Sequence, residues 1–231
     1  MEEILKEGLA ALGLPDQAVP ALVRYGELLQ ETNKVMNLTA ITAPADIARL
    51  HFLDSAVLLT LEDFKDKSVL DVGTGAGFPG LVLRILEPTV RLTLLDALQK
   101  RIHFLETVCR ELHLPDVACV HGRAEEFAQE HRESFDLVTS RAVANLQVLA
   151  ELCLPFVRPG GTFLAMKAAG CQAEVDAAAR AVAVLGGEIR QVKDYRIPGT
   201  EVCHRLIFVG KVKKTPEKYP RQFAKIKKNP L

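Results

Sequence analysis

Apolar residues recur at helical spacing through the first sixty positions, as at Leu22, Leu28 and Leu29 and then at Ile47, Leu50, Leu53 and Leu58. Pro15, Pro20 and Pro44 stand where helices start, since a proline in the first turn has no N–H to leave unpaired, so two or three helices are predicted before any strand. From Lys67 onward the pattern changes to short apolar runs, at Val69–Val72, Leu92–Leu95, Val117–Val120, Leu137–Thr139 and Thr162–Met166, separated by helical stretches. Unbroken apolar runs suit strands covered on both faces, and their alternation with helices predicts parallel strands joined by crossovers. After a helix predicted over Gln172–Leu185, the segments Glu188–Tyr195 and Cys203–Val212 flank a turn at Ile197-Pro198-Gly199 and read as an antiparallel pair. The expected fold is α/β, with a mostly parallel seven-stranded sheet that ends in an antiparallel hairpin. The expected division is an N-terminal helical extension (1–64), a core (65–212) and a C-terminal tail (213–231).

At 231 residues the chain is long for one compact domain and short for two, which favours a single core with appendages. Lys+Arg and Asp+Glu both total 29, so any surface for a polyanion must arise from local clustering. Such a cluster lies in the tail, where Lys211, Lys213, Lys214, Lys218, Arg221, Lys225, Lys227 and Lys228 face one acid, Glu217. Interrupted by Pro216, Pro220 and Pro230, this segment is expected to be basic and mobile. The five cysteines form no C-x-x-C pair and read as reduced thiols, with no metal site predicted. The acidic start Met-Glu-Glu-Ile and the lack of any long apolar run argue against secretion and membrane insertion, so a cytoplasmic location is expected.

The strongest local signal is Val69-Leu70-Asp71-Val72-Gly73-Thr74-Gly75-Ala76-Gly77-Phe78-Pro79-Gly80, a strand running into a glycine-rich turn and then a helix near Pro79. Glycines there admit positive φ and let a nucleotide approach the main chain closely. Gly75-x-Gly77-x-x-Gly80 also fits the dinucleotide fingerprint, with Asp96 near the distance for a ribose contact, so a nicotinamide cofactor remains an alternative. Asp71, two residues before Gly73, favours S-adenosylmethionine: a carboxylate suits a cationic amino acid and repels a pyrophosphate. That reading makes the fold a Rossmann-like class I methyltransferase. A competing reading has Asp71 satisfying loop amides and Asp96 capping the helix near Leu98. In Gly122-Arg123-Ala124-Glu125, after the third strand, Ala124 offers a small apolar surface and Glu125 an acceptor for an adenine amino group, unless Glu125 only complements a helix dipole.

Ser140 and Arg141 fall at the carboxyl end of the fourth strand, where ligands meet open parallel sheets. An Asn/Asp-Pro-Pro-aromatic loop, usual for methylation of exocyclic amines, is absent there, and Cys109 and Cys153 fall in predicted helices unsuited to a nucleophile for ring-carbon methylation. A ring nitrogen that already has a lone pair needs positioning more than it needs a base. Arg141 is the first catalytic candidate, as a bidentate partner for cofactor or base, with a structural ion pair to Asp71 or Asp136 as the competing reading. Lys167, ending the fifth strand, is the second, against a plain strand-end lysine.

Taken in order, these stretches resemble the RsmG (GidB) family. The resemblance also rests on Asn33-Lys34-Val35-Met36-Asn37-Leu38-Thr39-Ala40-Ile41, His51-Phe52-Leu53-Asp54-Ser55, Lys100-Arg101-Ile102-x-Phe104-Leu105, Ser140-Arg141-Ala142-Val143-Ala144 and Thr215-Pro216-x-Lys218-Tyr219-Pro220-Arg221. It implies a monomeric bacterial enzyme that transfers a methyl group from S-adenosylmethionine to guanine N7 in the decoding region of small-subunit (16S) ribosomal RNA, as free RNA or in the assembling or assembled subunit. Cofactor contacts are implied at Gly73, Phe78, Asp96, Ala124, Glu125 and Arg141; the glycine loop adds Asp71, Gly75 and Gly77. Substrate contacts are expected at Asn37, His51, Arg123, Lys218 and Arg221, with Lys34, Arg49, Lys100 and Arg101 as further cations near the mouth. Asn33, Asn37 and His51 read either as a base-facing wall or as a structural network. After Arg221 the chain departs from the family pattern, with Gln222-Phe223-Ala224-Lys225-Ile226-Lys227-Lys228-Asn229-Pro230-Leu231 in place of Lys-Ala-Gly-x-Pro. A methyltransferase of another substrate, and an RNA-binding module without activity, remain as alternatives.

Overall fold

Each apolar run becomes a strand, as do the two segments beside the Ile197-Pro198-Gly199 turn: β1 Ser68–Val72, β2 Arg91–Asp96, β3 Val117–His121, β4 Phe135–Arg141, β5 Val157–Ala168, β6 Gly187–Arg196 and β7 Cys203–Lys211. The computed structural model, which describes residues 1–141 and 144–231, joins them in one sheet of order β3-β2-β1-β4-β5-β7-β6. β1 to β5 run parallel, and β7 is antiparallel to both β5 and β6. Strand order reverses between β1 and β4, so the ends of these two strands open a crevice where ligands of open α/β sheets bind. β5 starts earlier than its apolar run suggests. Arg158-Pro159-Gly160-Gly161 reads as a turn, yet the pairing continues through a register shift, with Gly160 at φ +86°.

Alternation along the strands assigns two faces. Val69, Leu137, Leu164 and Phe208 face one core, and Leu70, Val138, Phe163 and Val209 face the other. The first core also takes in the N-terminal helices: α1 (Glu2–Ala11), α2 (Val19–Met36) and a helical run over residues 44–60, whose centre, Ile47–Leu53, is a π turn. Leu5, Leu9, Leu22, Leu29, Phe52 and Leu53 are buried there beside Leu81, Leu94 and Leu105. The extension therefore packs as part of the sheet's own core. The second core holds the helices Leu146–Cys153 and Gln172–Val184.

The tail departs from its expected mobility. Tyr219 and Ile226 are buried in the second core, and Phe223–Lys228 forms a short helix between the prolines. The Arg132 guanidinium donates to the carbonyls of Tyr219 (2.5 Å) and Thr215 (2.8 Å), and Thr215 Oγ1 donates to Leu185 O (2.7 Å). The Arg221 guanidinium pairs in bidentate fashion with the buried Glu151 carboxylate at 2.8 and 2.6 Å. Charge composition alone does not reveal that two apolar side chains and one buried acid anchor this segment. Lys211 likewise lies inside, donating to Leu154 O and Val157 O at 2.6 and 3.0 Å, and burial draws its pKa down to about 8.

α2 is fastened directly to the glycine loop: the Tyr25 hydroxyl donates to Ala76 O, and its ring stacks on Phe78 at 5.5 Å. Gly77 lies beneath it at φ +99°, where an added Cβ would come within 2.3 Å of Tyr25 Oη and 2.9 Å of Leu81 and Leu105 methyls. Gly77→Ala is expected to destabilise the ligand-free protein by about 3 kcal/mol, from left-handed strain and overpacking together. Urea unfolding measures this, and a change below about 1 kcal/mol contradicts the packing described.

Candidate active site

The register of β1 and β4 pairs Asp71 with Thr139, and the Thr139 hydroxyl donates to Asp71 Oδ1 at 3.0 Å. Oδ2 accepts from Thr74 Oγ1 (2.7 Å) and from the amide of Gly80 (3.0 Å), at the start of the helix Gly80–Leu86. Asp71 is fully buried, and burial raises its pKa even against these bonds. The loop's other side hangs from β2, through the Gly73 and Thr74 amides on Leu95 O at 2.8 and 3.1 Å. Asp96, at the end of β2, accepts from the amides of Gly75 and Leu98, both at 2.9 Å, and pairs with Arg101 at 3.1 Å.

Three clefts join around these strand ends. The first, about 470 Å³, is lined by Thr39, Thr74, Gly75, Phe78, Leu98 and Arg101 with its neighbours. It shares Gly73, Asp96 and Ala97 with a second, mainly apolar cleft of about 150 Å³ between Leu95, Leu152, Ala124, Glu125 and Phe223. It shares His51 and Arg141 with a third of about 700 Å³, bounded by Ile41, Leu50, Met166, Lys167 and His204. Asp96 thus marks one junction and Arg141 the other.

Arg141 donates through Nη1 to Asp54 Oδ2 (3.0 Å) and Leu50 O (3.1 Å), through Nη2 to His51 Nδ1 (3.0 Å), and lies 5.0 Å from the Phe78 ring centroid. A guanidinium only donates, so His51 Nδ1 is the acceptor and its proton sits on Nε2, directed at Thr39 Oγ1 (2.9 Å). The ring stacks on Phe78 at 4.4 Å. Burial, followed by the Arg141 charge, pulls His51 down to a pKa of about 3, so it is neutral at any physiological pH. Asp54 is fully buried, and its Oδ1 accepts from Tyr195 Oη (2.9 Å) and His204 Nδ1 (2.8 Å). Burial pushes its pKa up, but His204, Arg141 and Tyr195 together outweigh that and leave it below the usual value.

Gly73, Gly75, Phe78, Asp96, Ala124, Glu125, Arg123, His51 and Arg141 all line the joined clefts. Asp71 and Gly77 lie behind the loop instead. The first has its lone pairs taken by Thr74, Gly80 and Thr139, and the second packs under Tyr25, so neither faces the crevice as expected. Arg141 pairs with Asp54, not with Asp71 or Asp136; Asp136 is held by Ser68 and Arg158. Lys167 lines the third cleft but is tied to Glu174 and Ala144 O, both at 2.5 Å. Arg221 is spent on Glu151, and Lys218 is exposed on the tail beside the Tyr219 ring. Asn37 is an exposed helix C-cap at φ 47°, while Asn33 bonds the main chain of Thr39 through both ends of its amide at 2.9 Å, which is the structural reading of that pair. Ala142 and Val143 of the Ser140–Ala144 motif lie outside the described residues. Asp54, Thr39, Tyr195, His204 and Phe223 were not legible as site residues: Thr39 is held by Asn33 and His51, six and twelve positions away, and the others owe their places to partners distant in sequence. Among the described residues no cluster suits a metal ion, and no helix is long and apolar enough to cross a membrane.

The family model described as rRNA small subunit methyltransferase G matches residues 18–203. The chain is 46% identical to ribosomal RNA small subunit methyltransferase G of Clostridium botulinum, over 95% of this chain and 93% of that one. It is 45% identical to the protein of the same name from Alkaliphilus metalliredigens, over 99% and 98%. Among solved structures, a SAM-dependent methyltransferase from Aquifex aeolicus superposes with a TM-score of 0.54 at 15% identity, over 72% of this chain and 93% of that one, which shows a shared fold.

Because His51 titrates lower folded than unfolded, the unfolded chain binds more protons between pH 3 and 6.5, and stability falls as pH drops through that window. Replacement His51→Gln is expected to shrink the stability difference between pH 7 and pH 5 by about 2 kcal/mol, read from denaturant titrations at both pH values. An unchanged difference contradicts a buried neutral imidazole.

Proposed function

The chain belongs to the rRNA small subunit methyltransferase G family, and from that premise we propose that it transfers the methyl group of S-adenosylmethionine to N7 of a guanine in small-subunit (16S) ribosomal RNA. The observation that carries this reading is the track of three joined clefts with Asp96 and Arg141 at its junctions. Asp96 has the position and acceptor character to take ribose hydroxyls, and the apolar second cleft, edged by Ala124 and Glu125, suits adenine. Gly73, Gly75 and Phe78 line the first cleft on the path to Arg141, matching the amino-acid arm. S-adenosylmethionine supplies a methyl group on a sulfonium centre, ready for displacement by a nucleophile in line with it.

The residues around that point support a nucleophile that arrives with its own lone pair. His51 has both ring nitrogens engaged and is neutral, Asp54 has both oxygens engaged, and Glu174 is paired with Lys167. None is poised to remove a proton, as amino methylation would ask. The third cleft, with Ile41, Leu50 and Met166 as apolar walls, suits a planar base and keeps water from the reacting atoms. Catalysis is then positioning by a rigid wall, with Arg141 and His51 fixed by Asp54.

The register sets Lys213 and Lys214 at the far edge of the sheet, beside Gly186, with Lys218 near Arg132 before β4; the exposed cations nearer the track are Lys34 and Lys100 and, on the helix that follows Phe223, Lys225, Lys227 and Lys228. They supply phosphate contacts that orient RNA without reading its sequence. In this reading residues 1–64 and 213–231 serve as RNA-facing flanks of the 65–212 core, and the protein works as a cytoplasmic monomer on small-subunit RNA or on the assembling or assembled subunit.

Labelled S-adenosylmethionine, offered with small subunits and free ribosomal RNA from a strain lacking the gene, is expected to yield labelled 7-methylguanosine on nucleoside analysis. Asp96→Asn should raise the KM for the cofactor about tenfold or more, from one weakened pair of charge-assisted bonds. Label in any other nucleoside rules out the N7 assignment, and saturable cofactor binding with no RNA label rules out the RNA substrate.

A further inference from the structure

The tail reaches the cofactor track at one residue. Phe223 lines the 150 Å³ cleft together with Leu95 and Leu152, and its amide donates to Glu125 Oε1 at 3.1 Å. Two anchors hold it there. On one side the Arg221 amide and guanidinium grip Glu151, the residue next to Leu152, at 2.6–2.9 Å; on the other Ile226 is buried in the second core. Phe223 is itself half-buried against that core, so its ring has a fixed seat. It also lies beyond residues 18–203, where the family model matches, and in the stretch that departs from the family pattern.

We propose that Phe223 is a cofactor-binding residue of this chain, and that the tail is a strap whose function is to close the adenine cleft. The inference rests on the S-adenosylmethionine reading above. A purine has two flat apolar faces, and its binding is strongest when both lie against apolar or aromatic surface. Leu95, Val72 and Leu152 furnish aliphatic surface in the cleft, and Phe223 is the only aromatic side chain among its described lining residues. The Phe223 amide also fixes one oxygen of Glu125, so the strap orients the acidic edge of the cleft as well as its wall.

Isothermal titration of the full-length chain with S-adenosylhomocysteine tests this. Phe223→Ala is expected to weaken binding about tenfold, with the same factor for 5′-methylthioadenosine, which keeps the adenosine and lacks the amino-acid arm. Phe223→Leu should recover most of the loss, and the ligand-free melting temperature should move little. Unchanged affinities in Phe223→Ala overturn the proposal, as does a loss confined to S-adenosylhomocysteine. If the wild type itself binds neither ligand, the cofactor reading fails instead. The chain has no tryptophan, so Phe223→Trp adds a single fluorophore at the cleft. Its emission should change on adding S-adenosylhomocysteine, and an unaltered spectrum at saturation overturns the proposal even if the alanine variant does not fold.

Discussion

The arrangement depends on one buried carboxylate. Asp54, on the N-terminal helical run, accepts from Arg141 at the end of β4, from Tyr195 on β6 and from His204 on β7, partners 87, 141 and 150 residues away. A charge at zero exposure is tolerable only with partners of this kind, and removing one leaves several kcal/mol of uncompensated desolvation. The pair therefore fixes how the helical extension meets the carboxyl ends of the strands. Arg141, so held, aligns His51 and lies against Phe78, and those three side chains make the partition between the first and third clefts.

Two acids on neighbouring strands, two residues apart in height, divide the remaining work. Asp71, on β1, is sealed under the glycine loop and holds it through Thr74, Gly80 and Thr139. Asp96, on β2, supports Gly75 and Leu98 yet still borders two clefts. The difference follows from height along the strands: the register pairs Asp71 with Leu94, two residues short of Asp96, so Asp71 lies inside β1 beneath the loop and Asp96 at the end of β2, where the chain turns away from the sheet. A rigid loop with one acid inside it and one at its rim is suited to hold a ligand without rearranging, which is the condition for catalysis by positioning.

Much of this was legible in the sequence. Five strands appear as apolar runs, because a sheet covered on both faces demands them, and the terminal hairpin appears as two segments flanking the turn at Ile197-Pro198-Gly199. Gly73, Gly75, Phe78, Asp96, Ala124, Glu125 and Arg141 line the clefts because a strand end followed by a turn leaves few other places for them. What stayed hidden was tertiary pairing. Nothing near Asp54 in sequence announces its partners, and local order alone does not separate Asp71 from Asp96. The tail's charge masked Tyr219 and Ile226, whose burial, with the Arg221–Glu151 pair, makes it part of the fold. Lys211 misled in the same way, since a lysine is seldom buried and this one is held by two carbonyls.

The most direct test of the account is a crystal structure of the protein with S-adenosylhomocysteine. The expected complex has the adenine in the cleft beside Leu152, the ribose hydroxyls on Asp96, and the sulfur at the His51–Arg141 partition, with the Asp54–Arg141 pair intact. An adenosine seated in the third cleft, or an Arg141 drawn off Asp54 to bind the ligand, would contradict the claim that a preformed, carboxylate-anchored wall positions the reaction.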